Sequence, residues 1–171
     1  MDLKLTVMDT PAVSPSGFSL SPPNAEERKR LEAALSPAEA DVLLHHGTEA
    51  PFCGGLLDQK DDGVYCCRLC GLPLFHHKTK FESGTGWPSF WAPVDEAHVK
   101  GIRDTSYGMV RIETVCARCG SHQGHVFPDG PPPTRLRYCI NSVSLTFVKG
   151  GYPLPDPLGR DDNAHAAGIY A

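Results

Sequence analysis

Two hydrophobic periods run through this chain, and one gives way to the other near Gly47. Before that glycine, Leu31 and Leu35 stand four apart in an otherwise charged segment from Asn24 to Leu35, the spacing of an amphipathic helix. Ser36, Pro37 and Glu39 then supply an N-cap, a first-turn proline and the reciprocal acid of a capping box. Val42, Leu43 and Leu44 follow, and Gly47 ends this second predicted helix. Beyond Gly47 the period is two, in short runs cut by Gly, Pro and Asp. From Met109 to Val115, Val110 and Ile112 fall on one face, with Arg111 and Glu113 on the other. The clearest predicted strand runs from Tyr138 to Val148, where Val143, Leu145 and Phe147 alternate with Ser142, Ser144 and Thr146. In that register Cys139 and Asn141 share the inward face with Val143 and Leu145, successive members standing about 7 Å apart. The pattern predicts a mainly β fold, an antiparallel core preceded by two short helices.

The flanks read differently. Residues 11–23 are dense in Pro, Ser and Gly, so 1–23 is expected to be a flexible extension and 24–150 one folded domain. Prolines after Gly151 remove backbone donors, and 151–171 is expected to be a loose tail. A length of 171 residues with 40% apolar content suits a single domain and a core of ordinary size. The formal net charge of −4 disfavours nucleic acid and anionic membrane surfaces as partners. No apolar run reaches transmembrane length, and the first ten residues lack the marks of a secretory or transit signal, so a cytoplasmic protein is expected.

Two Cys-x-x-Cys-Gly knuckles, Cys67 to Gly71 and Cys116 to Gly120, supply the first chemistry. Two sulfurs on one tight turn approach an ion from the same side, and two such turns complete a tetrahedral four-cysteine zinc site. We therefore expect one structural Zn2+ per chain on Cys67, Cys70, Cys116 and Cys119, each knuckle joining two antiparallel strands. The clamp is expected at the end away from the cysteine strand. A rival set using His122 and His125 would strand Cys67 and Cys70 without partners.

The remaining polar and aromatic residues concentrate in three stretches: Gly84 to Trp91, Gly120 to Gly130 and Arg137 to Ser142. A thiol becomes a nucleophile as thiolate, and cationic neighbours favour that form; Arg137, His122 and His125 are the candidates to favour it at Cys139. Asn141 offers an amide to orient a substrate oxygen. Trp87 offers a rigid apolar wall for a small alkyl group. Phe127 and Arg137 are expected on the substrate side of the same site.

These stretches, with Gly47-Thr48-Glu49, Pro51-Phe52 and the run Phe81 to Phe90, resemble the peptide-methionine (R)-S-oxide reductases, the B-type methionine sulfoxide reductases, over residues 26–149. The resemblance implies two antiparallel sheets packed as a tent-like β-sandwich, and thioredoxin-dependent reduction of methionine-R-sulfoxide in oxidised proteins by a monomer. It also implies Cys139 as nucleophile, His122, His125 and Asn141 around the sulfoxide oxygen, and Trp87 as the wall for the substrate methyl. The alternative is a non-catalytic, zinc-clamped binding module on the same fold.

Two residues depart from the family pattern. Thr85 stands where many members carry a resolving cysteine, and Gln123 where leucine is common, a change expected at the pocket edge. With four cysteines on zinc and Cys139 attacking, Cys53 and Cys66 remain to form a disulfide with Cys139. Cys53, in a glycine-flanked loop, is the favoured one; Cys66 and direct reduction by an external thiol stay open.

Overall fold

The computed structural model describes residues 10–170. Two helices open the domain, α1 (Ala25–Ala33) and α2 (Pro37–His45), each entered through a reciprocal capping box: Asn24 with Glu27, and Ser36 with Glu39. Left-handed His46 ends α2 just before Gly47.

Among the described residues nine strands follow: β1 (Gly63–Cys67), β2 (Pro73–His76), β3 (Lys80–Phe81), β4 (Ser89–Phe90), β5 (Val99–Asp104), β6 (Arg111–Cys116), β7 (His122–Phe127), β8 (Arg137–Ile140) and β9 (Leu145–Lys149). They form a three-stranded antiparallel sheet, β2-β1-β9, and a six-stranded one, β3-β4-β8-β7-β6-β5. This is the predicted mainly β architecture of two antiparallel sheets with short helices. Phe75 of the smaller sheet stacks on Phe90 of the larger at 4.5 Å, and Tyr65 meets Phe90 edge-on at 5.0 Å. Those rings, with Ile140 and Leu145, join the two sheets in one core.

The predicted strand from Tyr138 to Val148 is two strands in different sheets. Asn141 donates from both its backbone and its side-chain nitrogen to the Gln123 carbonyl, and the Ser144 hydroxyl donates to the His122 carbonyl. Side chains that capture backbone acceptors compete with the ladder, so the chain bends through a 3-10 turn at Ser142–Ser144 and crosses from β8 to β9. A period of two therefore does not carry Cys139 onto the face of Val143 and Leu145.

Strand β6 carries a buried acid, and Ile112 on its other face is half-buried. Glu113 is buried and Arg111 half-buried, whereas Val110 is 67% exposed. The carboxylate is inside because it has ionisable partners there, His46 and His122.

The flanks pack against the domain, so the flexible lead-in over 10–23 and the loose tail over 151–170 are both corrected; residues 1–9 and 171 lie outside the described residues. Phe18 and Leu20 are fully buried, and Ser14 and Ser16 hydrogen-bond His98 and Asp95. At the other end Leu154, Leu158 and Ile169 enter the core around α3 (Ala166–Tyr170). Arg118, inside the second knuckle, makes a fully buried bidentate pair with Asp162 at 2.9 and 3.0 Å and also donates to the Ser19 carbonyl. A short run of prolines blocks a ladder, yet it leaves the intervening leucines free to be buried. Among the described residues no helix is long and apolar enough to cross a membrane.

Candidate active site and metal centre

The four knuckle cysteines converge as expected. All are buried and unbridged, with Sγ–Sγ separations of 3.6 Å for Cys67–Cys119 and 3.5 Å for Cys70–Cys116. A disulfide would need about 2.05 Å, whereas sulfurs bound about 2.3 Å from one ion in a tetrahedron stand about 3.8 Å apart. The cluster fits a metal ion and does not fit a pair of disulfides. The Ser121 hydroxyl lies 3.2 Å from Cys67 Sγ and 3.1 Å from Cys119 Sγ, and Gln123 Nε2 donates to Cys67 Sγ at 3.5 Å. Gln123 is fully buried beside the sulfurs, so its expected place at the pocket edge is corrected. The clamp is also not remote from the cysteine strand. The residue whose side chain reaches Cys67 gives its carbonyl to Asn141.

A cavity of about 110 Å³ opens on the larger sheet, lined by Thr48, Trp87, Arg111, Gly124, His125, Phe127, Cys139 and Asn141. Its floor is built by register. Glu113, His125 and Cys139 are directly paired across β6, β7 and β8, hence on one face. Residues three apart on a regular strand face opposite ways, but β7 carries a bulge: Thr114 and Val115 pair with Gly124 and His122, leaving Gln123 as the extra residue. His122 and His125 thereby approach to 5.6 Å between ring centroids. Gly124 is obligatory there, since a Cβ would collide with the Cys139 carbonyl.

Burial pushes the Cys139 thiol above its ordinary pKa, opposed by the Arg137 charge and by hydrogen bonds from Thr85 and Arg137. The expected depression by cations is thus outweighed by desolvation. Arg137 is held by both oxygens of Asp129, at 2.9 and 3.2 Å, and lies over the Phe127 ring at 4.4 Å. His125 Nε2 donates to Asp104 Oδ2 at 2.8 Å, so in the neutral ring the lone pair sits on Nδ1. Hydrogen bonds from Ser106, then His125, hold the Asp104 carboxyl well below the usual range. His122 lies behind the cavity wall. Burial lowers its pKa against the opposing pull of Glu113, which favours the neutral ring.

Trp87 Nε1 donates to the Glu49 carbonyl, and the Glu49 amide donates to Asn141 Oδ1, tying three lining elements together. Cys53 is exposed, on a loop stitched down at both ends: the Phe52 amide donates to the Gly86 carbonyl, and the Leu56 amide to the Ser142 hydroxyl. Both anchors flank the Cys139 wall. Gly54 is there for contact as well as freedom, because a Cβ would meet the Glu49 and Ser142 side chains. Cys66 is fully buried near Asp162, Arg118 and Tyr170, where desolvation drives its thiol pKa far upward.

The structure thus gathers Trp87, His125, Phe127, Cys139 and Asn141 around one cavity, with Arg137 and His122 adjoining. Thr48, Arg111, Asp104 and Glu113 were not picked out beforehand. For Asp104 the available signal was the Asp-x-Ser spacing to Ser106, whose amide it accepts at 2.9 Å; for Glu113 it was an acid inside an otherwise strand-like run.

A thiol in a small cavity beside four sulfurs that fit a metal ion is an arrangement suited to an oxidoreductase. Comparison with known proteins agrees. Residues 35–149 match the family model described as the SelR domain. The chain is 75% identical over 154 residues to the peptide methionine sulfoxide reductase MsrB of Caulobacter vibrioides, covering 90% of this chain and 97% of that one. It is 60% identical over 146 residues to the MsrB of Xylella fastidiosa (85% and 94%), and 55% identical over 128 residues to that of Escherichia coli (75% and 91%). The chain belongs to the MsrB family of peptide methionine sulfoxide reductases, and the binding-module reading is set aside.

Proposed function

We propose that the protein reduces the R epimer of methionine sulfoxide in oxidised proteins, with Cys139 as nucleophile and thioredoxin as the final reductant. The observation that carries this reading is the small cavity in which the Cys139 thiol, the Trp87 ring, His125 and Asn141 share one wall. Cys139 sulfur attacks the sulfoxide sulfur. Oxygen leaves the substrate for Cys139, giving a sulfenic acid and a reduced methionine residue, while His125, oriented by Asp104 and backed by His122, supplies the proton the oxygen needs. Asn141 positions that oxygen, and Trp87 covers the methyl, with Phe127 and Arg137 closing the substrate side. A second thiol condenses with the sulfenic acid, releasing water and leaving a disulfide for thioredoxin. Zn2+ on Cys67, Cys70, Cys116 and Cys119, one per chain, would hold the two knuckles together and take no part in the chemistry, since four sulfurs leave no open position. The reading extends to a monomer acting in the cytoplasm, without nucleic acid or membrane. Assay of the two separated sulfoxide epimers with dithiothreitol tests it; equal turnover of both would remove the stereochemical part.

Two further expectations belong here. Trp87→Ala should cut sulfoxide reduction about tenfold or more while leaving the cooperative unfolding transition in place, because the loss is of methyl burial and alignment. A collapsed transition with the folded fraction fully active would make Trp87 a core residue. For recycling, Cys53 is the resolving thiol: its loop is exposed and anchored on both sides of Cys139, while Cys66 is sealed in the core. One equivalent of sulfoxide without reductant should yield a Cys53–Cys139 disulfide by mass spectrometry. Cys53→Ser should release one methionine per chain and lose thioredoxin-supported turnover; undiminished turnover would assign regeneration to another route.

A further inference from the structure

A second group of metal-ligating side chains lies apart from the four cysteines. His46 Nδ1 is 2.6 Å from Glu113 Oε1, His122 Nδ1 is 3.3 Å from the same oxygen, and all three donor atoms fall within 4.8 Å of one another. The first pair is an ordinary hydrogen bond. The second is not: His122 Nδ1 is buried with no hydrogen-bond partner, within reach of the carboxylate but misaligned with it. The His122 side chain is 2% exposed, so bulk water does not reach the nitrogen, and leaving it unpaired is unfavourable. Ring nitrogens and a carboxylate that converge on a shared point, more than on each other, are disposed as ligands. The spacing agrees: donors about 2.1 Å from one ion lie about 3.0 Å apart at right angles and about 3.4 Å apart in a tetrahedron. The shorter pair opens by a few tenths of an ångström, and His46, 61% exposed at the end of α2, is free to give that.

We propose that His46, Glu113 and His122 form a second, exchangeable site for a divalent first-row transition cation of the zinc, cobalt and nickel class. Two imidazoles and one carboxylate suit borderline cations, and three protein ligands leave positions for water. Exposed His46 offers the entry path, while buried Glu113 supplies the negative charge. Burial also favours neutral His122, whose lone pair is then available at neutral pH. The bulge at Gln123 makes the site, by turning His122 to the side of β7 that His125 and Glu113 share. Resting on the role proposed above for His122, an ion held on its Nδ1 would slow sulfoxide reduction.

The test uses the full chain with its four-cysteine site loaded with zinc, and Co2+ as the probe. One further cobalt per chain is expected after desalting, with visible d–d absorption and no thiolate-to-cobalt charge-transfer bands, which would report exchange into the cysteines. His46→Ala and Glu113→Gln should each weaken cobalt binding by at least roughly a hundredfold, the upper end of what loss of an outer partner costs, with zinc content and far-UV dichroism unchanged. No second cobalt, or a second cobalt held equally by the wild type and both variants, overturns the site. In the same titration cobalt should slow single-turnover reduction in the wild type and spare His46→Ala. Binding without slowing keeps the site and counts against the part of His122 in proton delivery.

Discussion

Cys139→Ser is expected to lose sulfoxide reduction by roughly a thousandfold or more while keeping its fold and metal content. The hydroxyl is nearly the size of the thiol and remains protonated at neutral pH, so it fills the same wall of the cavity without attacking. The pH dependence sharpens the test. Because burial lifts the Cys139 thiol above its ordinary value, the free enzyme holds it mostly protonated at neutral pH, and alkylation of the wild-type thiol should accelerate as pH rises through the alkaline range. Arg137→Ala removes the charge and the hydrogen bond that favour the thiolate, and should shift that curve further upward. Activity surviving in Cys139→Ser would reject the assignment, whereas an alkylation curve centred near neutrality would reject the upward shift that burial imposes.

Cys116→Ser should lose metal and fold together. Structural zinc in small domains contributes about 10–16 kcal/mol at neutral pH, as much as or more than the whole of a typical domain's stability of about 5–15 kcal/mol. Here the second knuckle closes β6 onto β7, the two strands that place His122, His125 and Glu113, so nothing of the site should outlast its loss. Metal analysis alongside thermal unfolding decides it: a metal-free, cooperatively folded and active variant would show that the four sulfurs are dispensable.

What could be read beforehand was what local spacing controls. The capping box at Ser36, the sulfur knuckles and the strand polarity around them follow from residues two to four apart, and each stands where expected. Long-range pairing was not legible. Asn141 takes a carbonyl from β7 and so ends a run whose alternation promised one continuous strand. The bulge at Gln123 brings His122 to the side that His125 already faces, and Glu113 is inside because two histidines meet it there. Asp104 counts only because β5 lies two strands from β7, close enough for its carboxylate to reach His125.

The buried pair between Arg118 and Asp162 changes what trimming this protein would mean. Chain ends are ordinarily the cheapest places to cut or to attach a tag. Here a cut before Asp162 leaves a guanidinium sealed in the second knuckle with its counter-charge gone, a loss on the order of 3–5 kcal/mol. A shortened form designed from the family match, which stops at residue 149, would omit a partner of the metal clamp.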